Sequence, residues 1–243
     1  MHTVGLISAA VMFIDLLLIY FVLPEPKHHA WHAKKPEHEL SAPFPWAELL
    51  PVYAVAFAVA FGFSGMQSTF GFILPERFHV SQQSVGYAFG IVGLTSIAFQ
   101  GFLIKYVRAV FLEKGMLLFG LSVMTVAFAL FSINPFVVAA FAIPMLFSVG
   151  FGSVNVSTSA LISRIAPGHA GRALGTNGSA MSLANIFGPL VANALYSIQL
   201  SVYGTQIGFW TYAASACFFA LALPMAYFGI SSHHPIFAPK KAG

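Results

Sequence analysis

The chain has 243 residues, of which 58% are hydrophobic and 7% charged. A soluble domain carries roughly a quarter charged residues, so this composition belongs to an integral membrane protein and not to a water-soluble one. The net charge of +4 would allow a nucleic-acid partner by number alone, but the placement of the charges, traced below, gives them another purpose. The single cysteine, Cys217, excludes an internal disulfide and argues against a cysteine-built metal site.

Seven apolar stretches are long enough to cross a bilayer: 3–23, 47–74, 84–107, 115–133, 135–159, 173–198 and 206–229. None shows the period-two alternation of a barrel strand. The expected fold is therefore an all-α membrane protein of about seven transmembrane helices, in which each span satisfies its own backbone hydrogen bonds. The first stretch lacks a basic leader and a small-residue cleavage site, so it reads as a span and not as a signal peptide. It contains Asp15, eight residues before Leu23. At helical rise that is roughly 12 Å from the end of the span. A carboxylate at that depth is a functional candidate by default, here a proton-coupling site. The alternative is an aspartate bonded to a neighbouring helix.

Residues 24–46 break the apolar pattern, with five prolines and four histidines. They read as a flexible Pro/His-rich linker between residues 1–23, one helix, and 47–230, a block of six. Residues 231–243 form a tail. His28, His29, His32 and His38 lie near Glu37 and Glu39, donors that zinc accepts. Their irregular spacing in a proline-rich setting favours a solvated linker, so no metal site is expected. His233 and His234 in the tail receive the same reading.

The second span carries Gly62, Gly65 and Gly71, with Ser64, Gln67, Ser68 and Thr69 among them. Glycine and polar residues inside a span mark a flexible or broken helix lining a cavity. The fifth repeats the style with Pro144, Gly150, Gly152, Ser153, Asn155 and Ser157. Gln100 is the main polar residue of the third. Gln67, Asn155 and Gln100 are candidate substrate-binding residues, with interhelical hydrogen bonding as the competing role.

The sixth span, entered through SRIAPGHAGRALGTNGSAMSLANIFGPLVANALY (163–196), carries Gly171, Gly175, Gly178, Ser182 and Ile186 at steps of three and four and ends its small-residue run at Gly188-Pro189. Such a stripe occupies one helical face and lets a second helix approach closely. These residues are expected in helix packing or, at Gly188 and Pro189, a hinge. Asn177, Ser179 and Asn185 flank the stripe and read as packing residues.

Ten of the eleven basic residues fall on one side of the seven-span arrangement: Lys27, Lys34, Lys35, Lys105, Arg108, Lys114, Arg164, Arg172, Lys240 and Lys241. Arg77 alone falls on the other. Positive charge marks the cytoplasmic face. This places the N-terminus outside and the C-terminus, linker and tail in the cytoplasm, in a plasma or inner membrane. Topology accounts for the basic charge, so no nucleic-acid partner is needed.

Three quoted stretches carry a family likeness. ERFHVSQQSVGYAFGIVGLTSIAFQGFLIK (76–105) resembles the region of the seventh and eighth helices of the major facilitator superfamily, in its drug/proton antiporter branch, which includes the tetracycline efflux pumps. SRIAPGHAGRALGTNGSAMSLANIFGP (163–189) resembles the loop and eleventh helix of that branch, and FVLPEP (21–26) the end of its sixth helix. The likeness implies that the chain corresponds to one helix, the central loop and the C-terminal six-helix half of a twelve-helix transporter. It also implies alternating access around a midplane site, and a second six-helix half as partner, as a homodimer or a separate chain. Two positions depart from the branch. Leu112 stands where a glycine is usual before Glu113-Lys114, and Met124 falls where the tetracycline pumps carry an acidic residue.

The sequence holds no nucleophile paired with a base, no Gly-rich phosphate loop and no HExxH, so neither an enzyme nor a cofactor is expected. The reading is a secondary active transporter, half or fragment, exporting a small and amphipathic molecule by proton exchange. Its rival is a non-transporting membrane scaffold or assembly subunit, in which Gln67 and Asn155 stay permanently buried.

Overall fold

A computed structural model describes residues 2–22, 43–134, 136–203 and 209–230. The linker and tail histidines lie outside the described residues. Every regular element described is helical. Residues up to Ala42 and those from Pro43 onward form two separate units. The first contains α1 (His2–Val22), which carries Asp15 and exposed large apolar side chains such as Phe13 and Leu16.

The second unit contains the bundle. Its helices are α2 (Trp46–Phe78), α3 (Gln82–Ala98), α4 (Ile104–Val110), α5 (Glu113–Ile133), α6 (Val137–Ile165), α7 (Ala170–Tyr203) and α8 (Phe209–Gly229). A π-helical turn, Phe99–Leu103, joins α3 to α4, so the two make one span. Six helices among the described residues are long and apolar enough to cross a membrane. The protein is an integral, multi-pass membrane protein.

Side chains bond to the open backbone groups of several helix ends. The Ser81 hydroxyl accepts the amide of Ser84 at the start of α3, which satisfies one of the open donors of a first turn. α2 continues through Pro75 and stops at His79, whose φ of 53° is left-handed and ends the helix. Arg77 donates to the carbonyls of Phe131 (3.1 Å), Ser132 (3.3 Å) and Asn134 (2.5 Å). These are last-turn acceptors of α5 that have no partner within their own helix. At the opposite end Lys114 does the same for α8, donating to the carbonyls of Tyr227 (2.7 Å) and Ile230 (2.6 Å).

α2 packs against α7 and α8, α5 against α6 and α8, and α3 against α6. The core is aromatic: Phe128 meets Phe147, Tyr212 and Phe219 with ring centroids 5.0–6.0 Å apart. Glycine sets the closest crossing of α5 and α6. A Cβ on Gly120 would lie 2.7 Å from the Gly150 carbonyl oxygen, and one on Gly150 equally close to that of Gly120.

Burial divides the spans. The most apolar stretch of α2 is 61% buried and that of α5 50%, against 11% for α3–α4 and 17% for α7. α3–α4 and α7 are therefore the flanks of the bundle, and the site is built where one flank, α7, meets the central α2.

Candidate functional site

α2 and α7 lie side by side, and side chains bridge them at four levels. The Tyr53 hydroxyl donates to the Ala173 carbonyl (3.0 Å) and the Ser64 hydroxyl to that of Ala184 (3.3 Å). The Asn193 amide donates to the Ser68 hydroxyl (3.4 Å), and the Tyr196 hydroxyl to the Glu76 carboxylate. In each successive bridge a later residue of α2 meets a later residue of α7, so the helices run parallel. Pro189 lies inside α7, which stays helical through it. Proline has no amide hydrogen, so the carbonyl of Asn185, four residues earlier, receives no helical bond from it.

Beside Pro189 a cavity of about 370 Å³ opens between α2, α6 and α7. It is lined by Phe63, Ser64, Gln67 and Ser68 from α2, Phe151 from α6, and Met181, Asn185 and Pro189 from α7, with Ala60 at its edge. Gln67 and Asn185 are both exposed. The Phe63 ring stacks on Phe151 with centroids 4.6 Å apart and on Phe147 at 5.3 Å. The lining thus offers two amides, hydroxyl groups, a thioether and aromatic faces, and no ionisable side chain.

The residues expected from the sequence separate here. Gln67 lines the cavity. Asn155 lies one turn along α6 from Phe151 and donates to the Phe151 carbonyl (3.2 Å). Gln100 lies on the π-turn, where its Cγ would be 3.2 Å from a Cβ on Gly152. Neither lines the cavity. Gly188 makes the tightest contact of the seam: a Cβ there would meet Ser64 Oγ at 2.2 Å and the Phe61 carbonyl oxygen at 2.5 Å.

The small-residue stripe divides as well. Gly171, Gly175 and Gly178 have no neighbour within 4 Å of where a Cβ would stand, and Ser182 is exposed. The face of α7 packed inside the bundle is instead Ala173, Asn177, Ala184, Gly188 and Ala192. Asn185, read from sequence as a packing residue, belongs to the cavity. Its signal was available, since Asn185, Pro189, Asn193 and Tyr196 follow one another at steps of four, four and three along one face.

At the end rich in basic residues the structure adds contacts that sequence did not resolve. Arg164 pairs with Glu113 at 2.6 Å, tying the end of α6 to the start of α5. Arg172 lies over the rings of Phe44 (4.6 Å) and Trp46 (5.8 Å), fastening the entry of α2 to the start of α7. Met124 is fully buried between helices, so its position serves packing.

A polytopic bundle with a neutral cavity beside a proline-containing helix is the setting in which the comparison with known proteins becomes informative. The family model described as Major Facilitator Superfamily matches residues 1–189 and, in an overlapping placement, 52–243. The chain belongs to the Major Facilitator Superfamily. A human relative, Major facilitator superfamily domain-containing protein 10, is 30% identical over 184 residues, covering 68% of this chain and 33% of the relative. The chain thus spans about a third of the length of the superfamily member it matches. The superfamily is one of membrane transporters.

Proposed function

We propose that the chain is one half of a secondary active transporter that moves a small, amphipathic molecule across the membrane by alternating access. The observation that carries this reading is the cavity beside Pro189 of α7. An interruption of helical hydrogen bonding is tolerated at membrane depth where it lines a cavity, and transporter binding sites use such interruptions. The amides of Gln67 and Asn185 fix the orientation of a polar group, while Phe63, Phe151 and Met181 cover an apolar one. Asn155, bonded within its own helix, and Gln100, packed against Gly152, are assigned structural roles.

A second six-helix half, from a second copy or a separate chain, completes the transporter. The open glycine face of α7 and a similar one on α3 (Gly86, Gly90 and Gly93, each without a neighbour within 4 Å) support this. Membership of the drug/proton antiporter branch, proton-driven export and a basic cytoplasmic end are part of the proposal, resting on the quoted stretches and on the distribution of charge. Asp15 is its proton site on α1, and Gly188-Pro189 its hinge.

Accessibility tests the reading. In a Cys217→Ser background, Asn185→Cys is reacted with membrane-impermeant thiol reagents from each side of the membrane. A transporter is labelled from both sides, in proportions that substrate shifts. Labelling from neither side, or from one alone under every condition, overturns the reading in favour of a scaffold subunit.

A further inference from the structure

The hydrogen bond between Tyr196 and Glu76 is the last bridge of the α2–α7 seam, and the transporter reading gives it no role. Glu76 lies nine residues beyond Gln67, roughly 13 Å along the helix. The intervening bridge, Asn193 to Ser68, is neutral and long at 3.4 Å. At the Arg77 end, the two helices that bound the cavity are bridged by a phenol and a carboxylate. Arg77, next in the chain, does not serve Glu76 as a salt-bridge partner in this structure; its guanidinium is spent on three carbonyls of the α5 terminus. Glu76 is exposed, so protons reach it.

The ionisable groups around this bond are few. α7 brings Tyr196, and α8 brings the buried Tyr212, which lies beside Thr69 within electrostatic reach of Arg77 and Tyr196. α2 itself brings Arg77, and His79 follows at its cap. The described ends of α5 and α6 add Ser132, Asn134 and apolar residues, and the start of α3 adds Ser81, Gln82 and Gln83.

We propose that Glu76 is a proton-binding site that latches α2 to α7 at the Arg77 end of the cavity. This rests on the transporter reading for its purpose. The ionised carboxylate accepts the Tyr196 O–H in a charge-assisted hydrogen bond, about twice as strong as a neutral one. When Glu76 takes up a proton, Tyr196 keeps its own, the acceptor loses its charge and the latch weakens. A proton that binds the open arrangement more tightly than the closed one shifts the population toward opening. Proton uptake from that side is thereby coupled to parting of the two helices that bound the cavity.

The test reads the α2–α7 separation against pH by electron–electron spin distance measurement. The full chain is placed in lipid nanodiscs in a Cys217→Ser background, with labels at Phe72→Cys and Val202→Cys, positions that are exposed on the two helices. The longer-distance population is expected to grow as pH falls. Glu76→Gln fixes the acidic-pH distribution at every pH, Tyr196→Phe also abolishes the response, and His79→Asn leaves it intact. A response that survives Glu76→Gln, that vanishes in His79→Asn, or that is missing from the parent overturns the proposal. Accessibility of Asn185→Cys from both sides together with a pH-independent α2–α7 distance removes this inference and leaves the transporter reading standing.

Discussion

Two faces of α7 carry the same chemistry and meet different fates. Ala173, Ala184, Gly188 and Ala192 are buried against the bundle, with Gly188 so close to α2 that a single added carbon would strike Ser64 and the Phe61 carbonyl. Gly171, Gly175 and Gly178, on another face, have nothing within 4 Å of where a Cβ would stand, and Ser182 beside them is exposed. Small residues in a membrane helix permit close approach, but they do not say which helix approaches. The inner face is committed to α2. The outer face is free for the second half that the proposed transporter requires.

The sharpest way to break this comparison is to enlarge each face in turn. Gly188→Leu should cost about 1–3 kcal/mol, and more where backbone atoms block relaxation. It should appear as a lower thermal midpoint in detergent or as loss of folded protein. Arg77→Ala comes next: α5 would lose three acceptor contacts, and each buried acceptor left unpaired costs about 1–3 kcal/mol. Thermal unfolding of Arg77→Ala against Arg77→Lys measures this, with lysine restoring part of the loss.

Gly175→Leu should leave the thermal midpoint nearly unchanged, within about 0.5 kcal/mol. Native mass in mild detergent or nanodiscs should nonetheless fall toward a single six-helix unit. An unchanged larger mass would show that this face does not bind the second half. The smallest effect is expected at Glu113→Gln. Its partner Arg164 is 45% exposed, and a pair that meets solvent contributes about 0–1 kcal/mol. Raised salt should narrow the difference from the parent further.

The end contacts extend the same contrast. Arg77 and Arg164 are both arginines at helix ends, yet one turns inward onto backbone carbonyls and the other pairs with a carboxylate across a partly wet gap. The sequence distinguished them only by the side of the expected span arrangement on which each falls. Their partners lie 54 or more and 51 residues away respectively, distances over which no local pattern operates.

Within the site, Gln67 was legible because a glutamine among glycines inside an apolar run has few roles. Asn185 was harder to read, because a neighbouring stripe of glycines supplied a packing explanation for the same stretch. The four bridges of the α2–α7 seam were invisible, since each joins residues 120 or more apart.

What the sequence by itself determined was the solvent, the element type and the approximate spans. Twenty-odd apolar residues with almost no charge must cross a bilayer as helix, because lipid offers the backbone no hydrogen-bond partner. The tertiary structure decided which face of each helix turns inward. In lipid, both faces of α7 are apolar and small, and water does not drive one of them inside. Only contact geometry chooses: Gly188 fits against Ser64 and Phe61, and beside that contact a cavity opens between α2, α6 and Pro189 of α7.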